Sequence, residues 1–206
     1  MAARKPGRRG RAGPARSHQI RIIGGDWRRR QITVPDAPGL RPTGDRIRET
    51  LFNWLALRLP GARCLDLFAG TGVLGLEALS RGAAHCSFVE ADARLAAGLQ
   101  SQLAQLGGAE RGTVVSARAP EALARCPGDF DIVFLDPPFE AGLLAPALDA
   151  VADRLVPGHR VYVERDRRDT TELAPGWQVL RDGQAGQVRY HLLEFQPMTD
   201  SLKETP

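Results

Sequence analysis

From Arg63 onward, short apolar runs alternate with segments of helical periodicity, and this alternation constrains the fold more than any other feature of the sequence. Strands are predicted at RCLDLF, HCSFVE, GTVVSA, DIVFLD, HRVYVE, WQVLRD and VRYHLLEF, and helices over residues 73–81, 92–106, 120–125 and 142–154. Strands that alternate with helices pair in parallel and carry helices on both faces of the sheet. The last two strands, joined by GQAGQ, predict an antiparallel hairpin at one edge. We therefore expect an α/β fold with a mostly parallel, seven-stranded sheet.

The segment in front of this pattern predicts a small N-terminal β-hairpin plus helix extension. HQIRIIGGDWRRRQITV contains two short strands around the turn Gly24-Gly25-Asp26. Thr43 is a plausible N-cap for a helix over residues 46–59, which the pair Pro60-Gly61 would end. The predicted organisation is a disordered basic arm (1–17), the extension (18–60), the α/β domain (61–196) and a polar tail (197–206).

The net charge of +4 is unevenly distributed. Residues 1–30 contain ten Arg or Lys and one acid, whereas the remaining residues contain 18 bases and 23 acids. An arm rich in Arg, Gly and Pro cannot bury enough apolar surface to fold alone, and its charge would attract a polyanion. From charge alone, a solvated tail without a partner is an equal alternative.

Other bulk features exclude several classes of protein. Cys64, Cys86 and Cys126 are widely spaced and form no CxxC or Cys/His pattern, so we expect buried thiols and neither disulfides nor a metal site. No apolar run is long enough to span a membrane, and the N-terminus lacks the apolar centre of a signal peptide. We expect a cytoplasmic protein with no membrane partner, and a monomer by default.

A glycine loop follows the first strand of the predicted domain and opens its first helix. Gly70, Gly72 and Gly75 have the spacing of a dinucleotide fingerprint, and Glu90 ends the next strand, where it could accept hydrogen bonds from ribose hydroxyls. However, Asp66 lies at the strand end and would repel a pyrophosphate. S-adenosylmethionine carries an ammonium and a sulfonium and no phosphate, so this carboxylate favours it over NAD. A tight turn with no ligand is the structural alternative.

The stretch FDIVFLDPPFE places a carboxylate, two prolines and an aromatic ring at the end of a strand. Because ligands bind outside the carboxyl ends of the strands in such sheets, Asp136 should face the same ligand as Gly70. Asp136 and the carbonyl of Pro137 can accept the two N–H bonds of an exocyclic amine, and Phe139 can stack on an extruded base. DPPF is typical of amino-group methyltransferases; the alternative is a surface turn with a satisfied carboxylate.

The sequence resembles the bacterial small-subunit ribosomal RNA guanine-N2 methyltransferases of the RsmD type over nearly all of residues 19–195. The block GLRPTGDRIRETLFNWL, joined to LDLFAGTGVLGLEALSRGA, FVEAD, DIVFLDPPF and AGQVRYHL, carries the resemblance. It implies a class I (Rossmann-like) methyltransferase fold and S-adenosylmethionine as methyl donor. It also implies methylation of guanine 966 of 16S rRNA within 30S subunits or assembly intermediates.

The resemblance also implies roles for individual residues. The catalytic set is Asp136, Pro137, Pro138 and Phe139. The cofactor set is Asp66, Phe68, Gly70, Gly72, Glu90, Ala119 and Thr43. The RNA-binding set is Arg41, Arg46 and Arg48, to which the basic stretch of residues 1–30 adds Arg28, Arg29 and Arg30. Arg46 and Arg48 could instead be ordinary exposed helix charges.

One position departs from the family pattern. Arg118 precedes Ala119 where such enzymes often present a small polar or acidic residue to the adenine ring. DPPF alone also leaves adenine N6 or a protein glutamine open as methyl acceptors. A ribosome-assembly module without turnover is a further alternative, which the intact motif residues oppose.

Overall fold

The alternation of strands and helices produces a mixed seven-stranded sheet in the computed structural model, which describes residues 17–35, 43–139 and 142–197. The N-terminal extension consists of β1 (Ser17–Arg21), β2 (Gln31–Pro35) and α1 (Asp45–Leu55). The sheet domain contains β3 (Arg63–Asp66), α2 (Val73–Ser80), β4 (His85–Glu90), α3 (Ala93–Gln105), β5 (Gly112–Ser116), β6 (Phe130–Leu135), α4 (Leu144–Ala152), β7 (Leu155–Asp166), β8 (Trp177–Ala185) and β9 (Val188–Phe195). Two 3₁₀ segments, Ala109–Arg111 and Glu121–Arg125, connect these elements.

The strand order is β5-β4-β3-β6-β7-β9-β8. The first five strands in this order pair in parallel, and β9 pairs antiparallel with both β7 and β8. The order reverses between β3 and β6, which are direct neighbours, and ligands of doubly wound sheets bind at such a switch point. This topology confirms the predicted parallel sheet and its antiparallel edge hairpin.

Side chains alternate between the two faces of the sheet and form two apolar cores. Along β6, Ile132 and Phe134 join the core under the extension, α2 and α3, whereas Val133 and Leu135 join the core under α4. The three cysteines are buried as free thiols, as predicted. Because both faces are covered, the strands read as nearly continuous apolar runs in the sequence.

The hairpin and α1 share the first core with the sheet. Ile22 and Ile32 of the hairpin and Leu51 and Phe52 of α1 are fully buried in it. Polar contacts reinforce the docking: the backbone N–H of Asp26 donates to the carbonyl of Ser80 at the end of α2, at 2.7 Å. The extension therefore packs against the sheet through both apolar and polar contacts. The four segment boundaries given above stay predictions.

The largest differences from the predicted elements are found in three of them. Helix α1 ends at Leu55, four residues early, because tight turns after it bring Leu59 back into the core. Residues 121–125 form a 3₁₀ turn, and β7 begins at Leu155, before the predicted HRVYVE. No helix among the described residues has the length and apolar character needed to cross a membrane.

Candidate active site

Acidic side chains follow the carboxyl ends of neighbouring strands and meet at one edge of the sheet. Asp66 ends β3, Glu90 ends β4, and Asp136 comes directly after β6. Because these three strands are parallel and adjacent, their ends lie at the same edge, beside the glycine loop between β3 and α2. The structure thus brings the predicted cofactor loop and the predicted DPPF site together.

The glycine loop has a backbone that side chains would disturb. Gly70 and Gly72 have φ of 54° and 76°, in the left-handed region that favours glycine. A Cβ on Gly72 would lie 2.4 Å from Cδ1 of Leu99. Glu90 organises the loop, since its two oxygens accept from the backbone N–H groups of Gly70 and Asp92, each at 2.7 Å. The half-buried Glu90 therefore joins the loop to the start of α3.

Asp66 is a buried acid beneath this loop, with 2% of its surface exposed. Its carboxylate accepts from the backbone N–H of Gly75 at 3.1 Å, and within the described ranges no ion pair to it is found. Burial raises the pKa of Asp66 to about 7; the Gly75 hydrogen bond opposes this rise and the Glu90 charge adds to it. A buried acid in this state is suited to a cationic ligand and unsuited to a phosphate.

A second buried acid, Glu164, lies beside Asp136. The register of β6 and β7 pairs Leu135 with Val163, so Asp136 and Glu164 occupy the same level on adjacent parallel strands. Thr43 connects them: its hydroxyl oxygen lies 2.8 Å from Oε1 of Glu164 and 3.4 Å from Oδ2 of Asp136. The hydroxyl of Tyr162 also donates to Oε1 of Glu164, at 2.9 Å.

These surroundings make Asp136 a weaker acid than an exposed aspartate. Burial raises its pKa well above the usual range, the charges of Glu164 and Asp66 raise it further, and the Thr43 hydroxyl opposes the rise. Such a carboxylate holds a proton more readily than an exposed one. Acids with environments of this kind are typical of sites that move protons.

The prediction that Thr43 caps α1 is wrong. Gly44 is the N-cap residue, and no side chain caps the helix. Thr43 is 5% exposed and its hydroxyl contacts the two acids, because burying them creates a stronger demand for a donor than the helix end does. Thr43 therefore belongs to the site by direct contact with Asp136 and Glu164.

The DPPF segment borders a cleft of about 240 Å³. Pro137 is buried, whereas Phe139 is 39% exposed and presents its ring to this cleft. Glu164, the start of α4 and the loop between β7 and β8 form the remaining walls. A partly exposed aromatic ring in the wall of a cleft can stack on a flat ring that enters the cleft.

The arginines expected to contact RNA lie at different distances from the acidic cluster. Arg46 is exposed in the first turn of α1, three residues from Thr43. Arg28, Arg29 and Arg30 are exposed, but they lie in the hairpin loop docked at the far end of α2, and eight helical residues span about 12 Å. These three are therefore not part of the acidic cluster.

The prediction that Arg48 binds RNA is wrong. It is fully buried, and its guanidinium contacts Glu77 at 3.3 Å, Asp45 at 2.7 Å and the carbonyl of Arg21 at 3.0 Å. A guanidinium enclosed in this way reaches no phosphate and is not an exposed helix charge. Arg48 instead joins α1, the hairpin and α2 through the buried carboxylate of Glu77.

Other predicted site residues have plainer surroundings. Phe68 and Ala119 are half-buried against the core under α4, and Arg118 is exposed. Pro138 is exposed, and Arg41 lies outside the described residues. Across residues 17–35, 43–139 and 142–197, no group of His, Cys, Asp and Glu is arranged to hold a metal ion.

Sequence reasoning missed Glu164 and Tyr162. The signal was present, because VYVERD places an acid at a strand end as LDLF, FVEAD and FLDPP do. Glu77 was missed as well, although it is a lone acid in the otherwise apolar run VLGLEALS. An acid in an apolar helix face requires a buried partner, which here is Arg48.

Comparisons with known proteins agree with this geometry. Residues 20–194 match the model of the family described as Conserved hypothetical protein 95. The chain is 46% identical over 188 residues to Ribosomal RNA small subunit methyltransferase D of Escherichia coli K12, covering 90% of this chain and 94% of the relative. It is 38% identical to the protein of the same name from Haemophilus influenzae, covering 88% and 96%.

The solved structure of the Escherichia coli protein yhhF, described as a methyltransferase, superposes with a TM-score of 0.79 at 42% identity and covers 88% of this chain and 100% of that one. The class I methyltransferase fold, the DPPF site and the extent of these matches agree with one another. The chain belongs to the methyltransferase family described as Conserved hypothetical protein 95, which also contains the proteins named Ribosomal RNA small subunit methyltransferase D.

Proposed function

We propose that the protein transfers a methyl group from S-adenosylmethionine to the exocyclic N2 of one guanine of 16S rRNA, within 30S subunits or their assembly intermediates. One observation carries the proposal: the glycine loop with Asp66 and the DPPF segment with Asp136 lie at the ends of adjacent strands, at the switch point of the sheet. A methyl donor and an amine acceptor bound at these two places would be neighbours. The names of the relatives support ribosomal RNA of the small subunit as substrate.

The residues of the loop fit S-adenosylmethionine better than a dinucleotide. Asp66 is buried and its pKa is raised by that burial, so a cationic ammonium group nearby would stabilise its ionised form. Glu90 ends β4, where a carboxylate can accept ribose hydroxyls. When bound, S-adenosylmethionine supplies an electrophilic methyl carbon on a positively charged sulfur.

Asp136 and the carbonyl of Pro137 would orient the amine. The lone pair of an exocyclic amine is delocalised into its ring and becomes available only when the nitrogen pyramidalises. Acceptors for both N–H groups hold the amine in the geometry that favours this change. Phe139 would stack on the base, which must leave its helix to reach the cleft.

The acids also account for the charge that develops during transfer. The amine nitrogen attacks the methyl carbon, the carbon–sulfur bond breaks, and the nitrogen becomes positive until it loses a proton. Asp136 can accept that proton, because burial and neighbouring acids make it a stronger base than an exposed aspartate. The carboxylate of Glu164 next to it stabilises the same positive charge.

The test measures transfer of tritiated methyl from S-adenosylmethionine to 30S subunits and to naked 16S rRNA. We expect transfer by the wild-type protein and a loss of at least about 100-fold for Asp136→Asn, a change of the magnitude caused by losing an acid–base group. Asp153→Asn, an exposed acid at the end of α4, is the matched control and should keep the full rate.

Calorimetric titration with S-adenosylmethionine separates the proposal from a binding-only module. Wild type and Asp136→Asn should both bind the cofactor, since Asp136 is assigned to the acceptor amine. A folded wild-type protein that binds no S-adenosylmethionine, or an Asp136→Asn variant with an unchanged rate, would contradict the proposal. Transfer to protein in place of RNA would instead identify a protein methyltransferase.

A further inference from the structure

We propose that a second pocket of this protein binds the substrate RNA away from the active site, and that it takes an unpaired nucleotide near the target base. The pocket has a volume of about 470 Å³ and lies between the end of α1, the first half of β7 and the strands β8 and β9. We call it the arginine pocket, because Arg58, Arg160 and Arg181 line it together with Trp54. The inference rests on the proposed function, since it takes RNA as the ligand.

The positive charge of the arginine pocket is only partly neutralised. Arg160 pairs with Glu194 at 2.8 Å. Within residues 17–35, 43–139 and 142–197, no carboxylate forms an ion pair with Arg58 or Arg181. The carbonyl of Gly158 accepts from Nη1 of Arg58 at 2.7 Å and from Nη1 of Arg160 at 3.1 Å, which holds the two guanidinium groups side by side. Cations that converge in a concave surface attract an anion, and a guanidinium binds phosphate through two parallel N–H bonds.

A β-bulge in the edge strand β8 directs Arg181 into this pocket. Val179 pairs with Leu193 of β9, and Arg181 pairs with Leu192, so Leu180 is an extra residue between the two pairs. Because paired residues share a face of the sheet, Arg181 lies on the face of Leu192, which packs in the core under α1. Without the extra residue, Arg181 would lie on the opposite face. Bulges that redirect a side chain are frequent beside functional sites.

Trp54 gives the arginine pocket a surface on which a base can stack. Its half-buried ring packs against Tyr190, with ring centroids 5.6 Å apart, and also lines the pocket. The exposed Asn53 beside it adds an amide donor and acceptor. An inorganic anion needs no aromatic partner, whereas proteins that bind single-stranded RNA combine arginines with aromatic rings. The ligand that fits these side chains is therefore a nucleotide of unpaired RNA.

Helix α1 connects the arginine pocket with the active site. The helix begins next to Thr43, and its eleven residues span about 16 Å. Arg46, Thr50 and Asn53 follow one another at the i, i+4 and i+7 spacing and form one stripe of the helix outside the core. Arg46 is already expected to contact RNA. A strand whose target base enters the active site can follow this stripe and place a neighbouring nucleotide in the arginine pocket.

Arg181→Ala is the first test, because Arg181 is exposed and, within the described ranges, its side chain donates only to the carbonyl of Leu180. Binding of naked 16S rRNA and of 30S subunits is measured by filter retention at several KCl concentrations. We expect affinity to fall about 10-fold and the slope of log K against log salt to become shallower by about 0.7 to 0.9, the value of one phosphate contact. In methyl transfer to 30S subunits, KM should rise by a similar factor while kcat and S-adenosylmethionine affinity stay unchanged.

Arg125→Ala is the matched control, since it removes the same charge from an exposed position beside the core under α4. It should change neither the slope nor KM. An unchanged slope and KM for Arg181→Ala, or an equal change in both variants, would overturn the inference. A loss of affinity for 30S subunits with none for naked 16S rRNA would also overturn it, because the occupant would then be a ribosomal protein.

Two further variants test the base and the charge separately. Trp54→Leu keeps an apolar side chain and removes the stacking ring, so RNA affinity should fall about 10-fold with an unchanged salt slope. Asn53→Glu adds an acid at an exposed position of α1 and should weaken RNA binding even if Trp54→Leu does not fold. Wild-type affinity in Asn53→Glu would contradict the inference.

The proposed function fails separately. If the wild-type protein forms no N2-methylguanosine on unmodified 30S subunits, the reaction itself is wrong. If it forms that product and Arg181→Ala does so with an unchanged KM, only the inference about the arginine pocket is wrong.

Discussion

Replacing Asp66 with Asn should stabilise the protein and weaken its binding of S-adenosylmethionine. Asp66 is buried, and its pKa rises from 3.8 to about 7 on folding, chiefly because burial disfavours the charged form. The folded protein therefore binds more protons than the unfolded chain between these two values. Stability is largest at low pH and is lost as the pH rises through 7.

The magnitude follows from the pKa shift. Each pKa unit corresponds to about 1.4 kcal/mol, so ionised Asp66 costs about 4 kcal/mol above pH 7. Asn keeps an oxygen to accept from the N–H of Gly75 and carries no charge. The stability gained by Asp66→Asn should be about 3 kcal/mol larger at pH 8 than at pH 5, or about 6–12 °C in Tm for a chain of this size.

The assay is thermal unfolding of the wild-type protein and Asp66→Asn across pH 5–8, without cofactor. Groups that the charge of Asp66 does not reach titrate alike in the two proteins and cancel in the difference. Asp136 does not cancel, because the charge of Asp66 raises its pKa, and its contribution has the same sign as that of Asp66. A difference that does not change with pH would refute the assigned pKa and its cause. Calorimetry at pH 8 should show a 10- to 100-fold loss of S-adenosylmethionine affinity, the worth of a charged hydrogen bond; unchanged affinity would refute the role of Asp66 as a partner of the cofactor.

Three further predictions concern the extension. Arg48→Ala should lower the free energy of unfolding by about 3 kcal/mol, because the buried carboxylate of Glu77 then keeps only Arg81 as a cationic partner. Urea titration measures this change, and an unchanged free energy of unfolding would refute the buried ion pair. Arg46→Ala should leave stability unchanged and reduce the salt slope of RNA binding by about one phosphate contact, and the exposed Arg125→Ala is its matched control. The hydroxyl of Thr43 lowers the pKa of Asp136, so Thr43→Val should raise that pKa and move the acid limb of the pH–rate profile to higher pH. A shift to lower pH would contradict the contact.

The sequence predicts the sheet well because the signals are local. Strand-end acids and glycines lie within a few residues of one another in LDLFAGTG and FLDPPF, and the parallel alternation alone places them at one edge. The antiparallel edge hairpin is signalled by two neighbouring strands with a short connection. These features need no knowledge of distant contacts.

The errors concern contacts between segments far apart in the chain. Thr43 satisfies Glu164, which is 121 residues away, and a capping rule cannot weigh that demand against the helix end. Arg48 is buried because Glu77, 29 residues away, supplies a carboxylate inside an apolar core. Helical periodicity places Arg48 on a face, but it cannot show that α2 covers that face.

The identity of the methylated nucleoside tests the central claim most directly. Unmethylated 30S subunits are incubated with the protein and S-adenosylmethionine, and the 16S rRNA is digested and resolved by mass spectrometry. The proposed function predicts N2-methylguanosine at a single position. Formation of N6-methyladenosine, or of no methylated nucleoside by a folded protein that binds the cofactor, would contradict it.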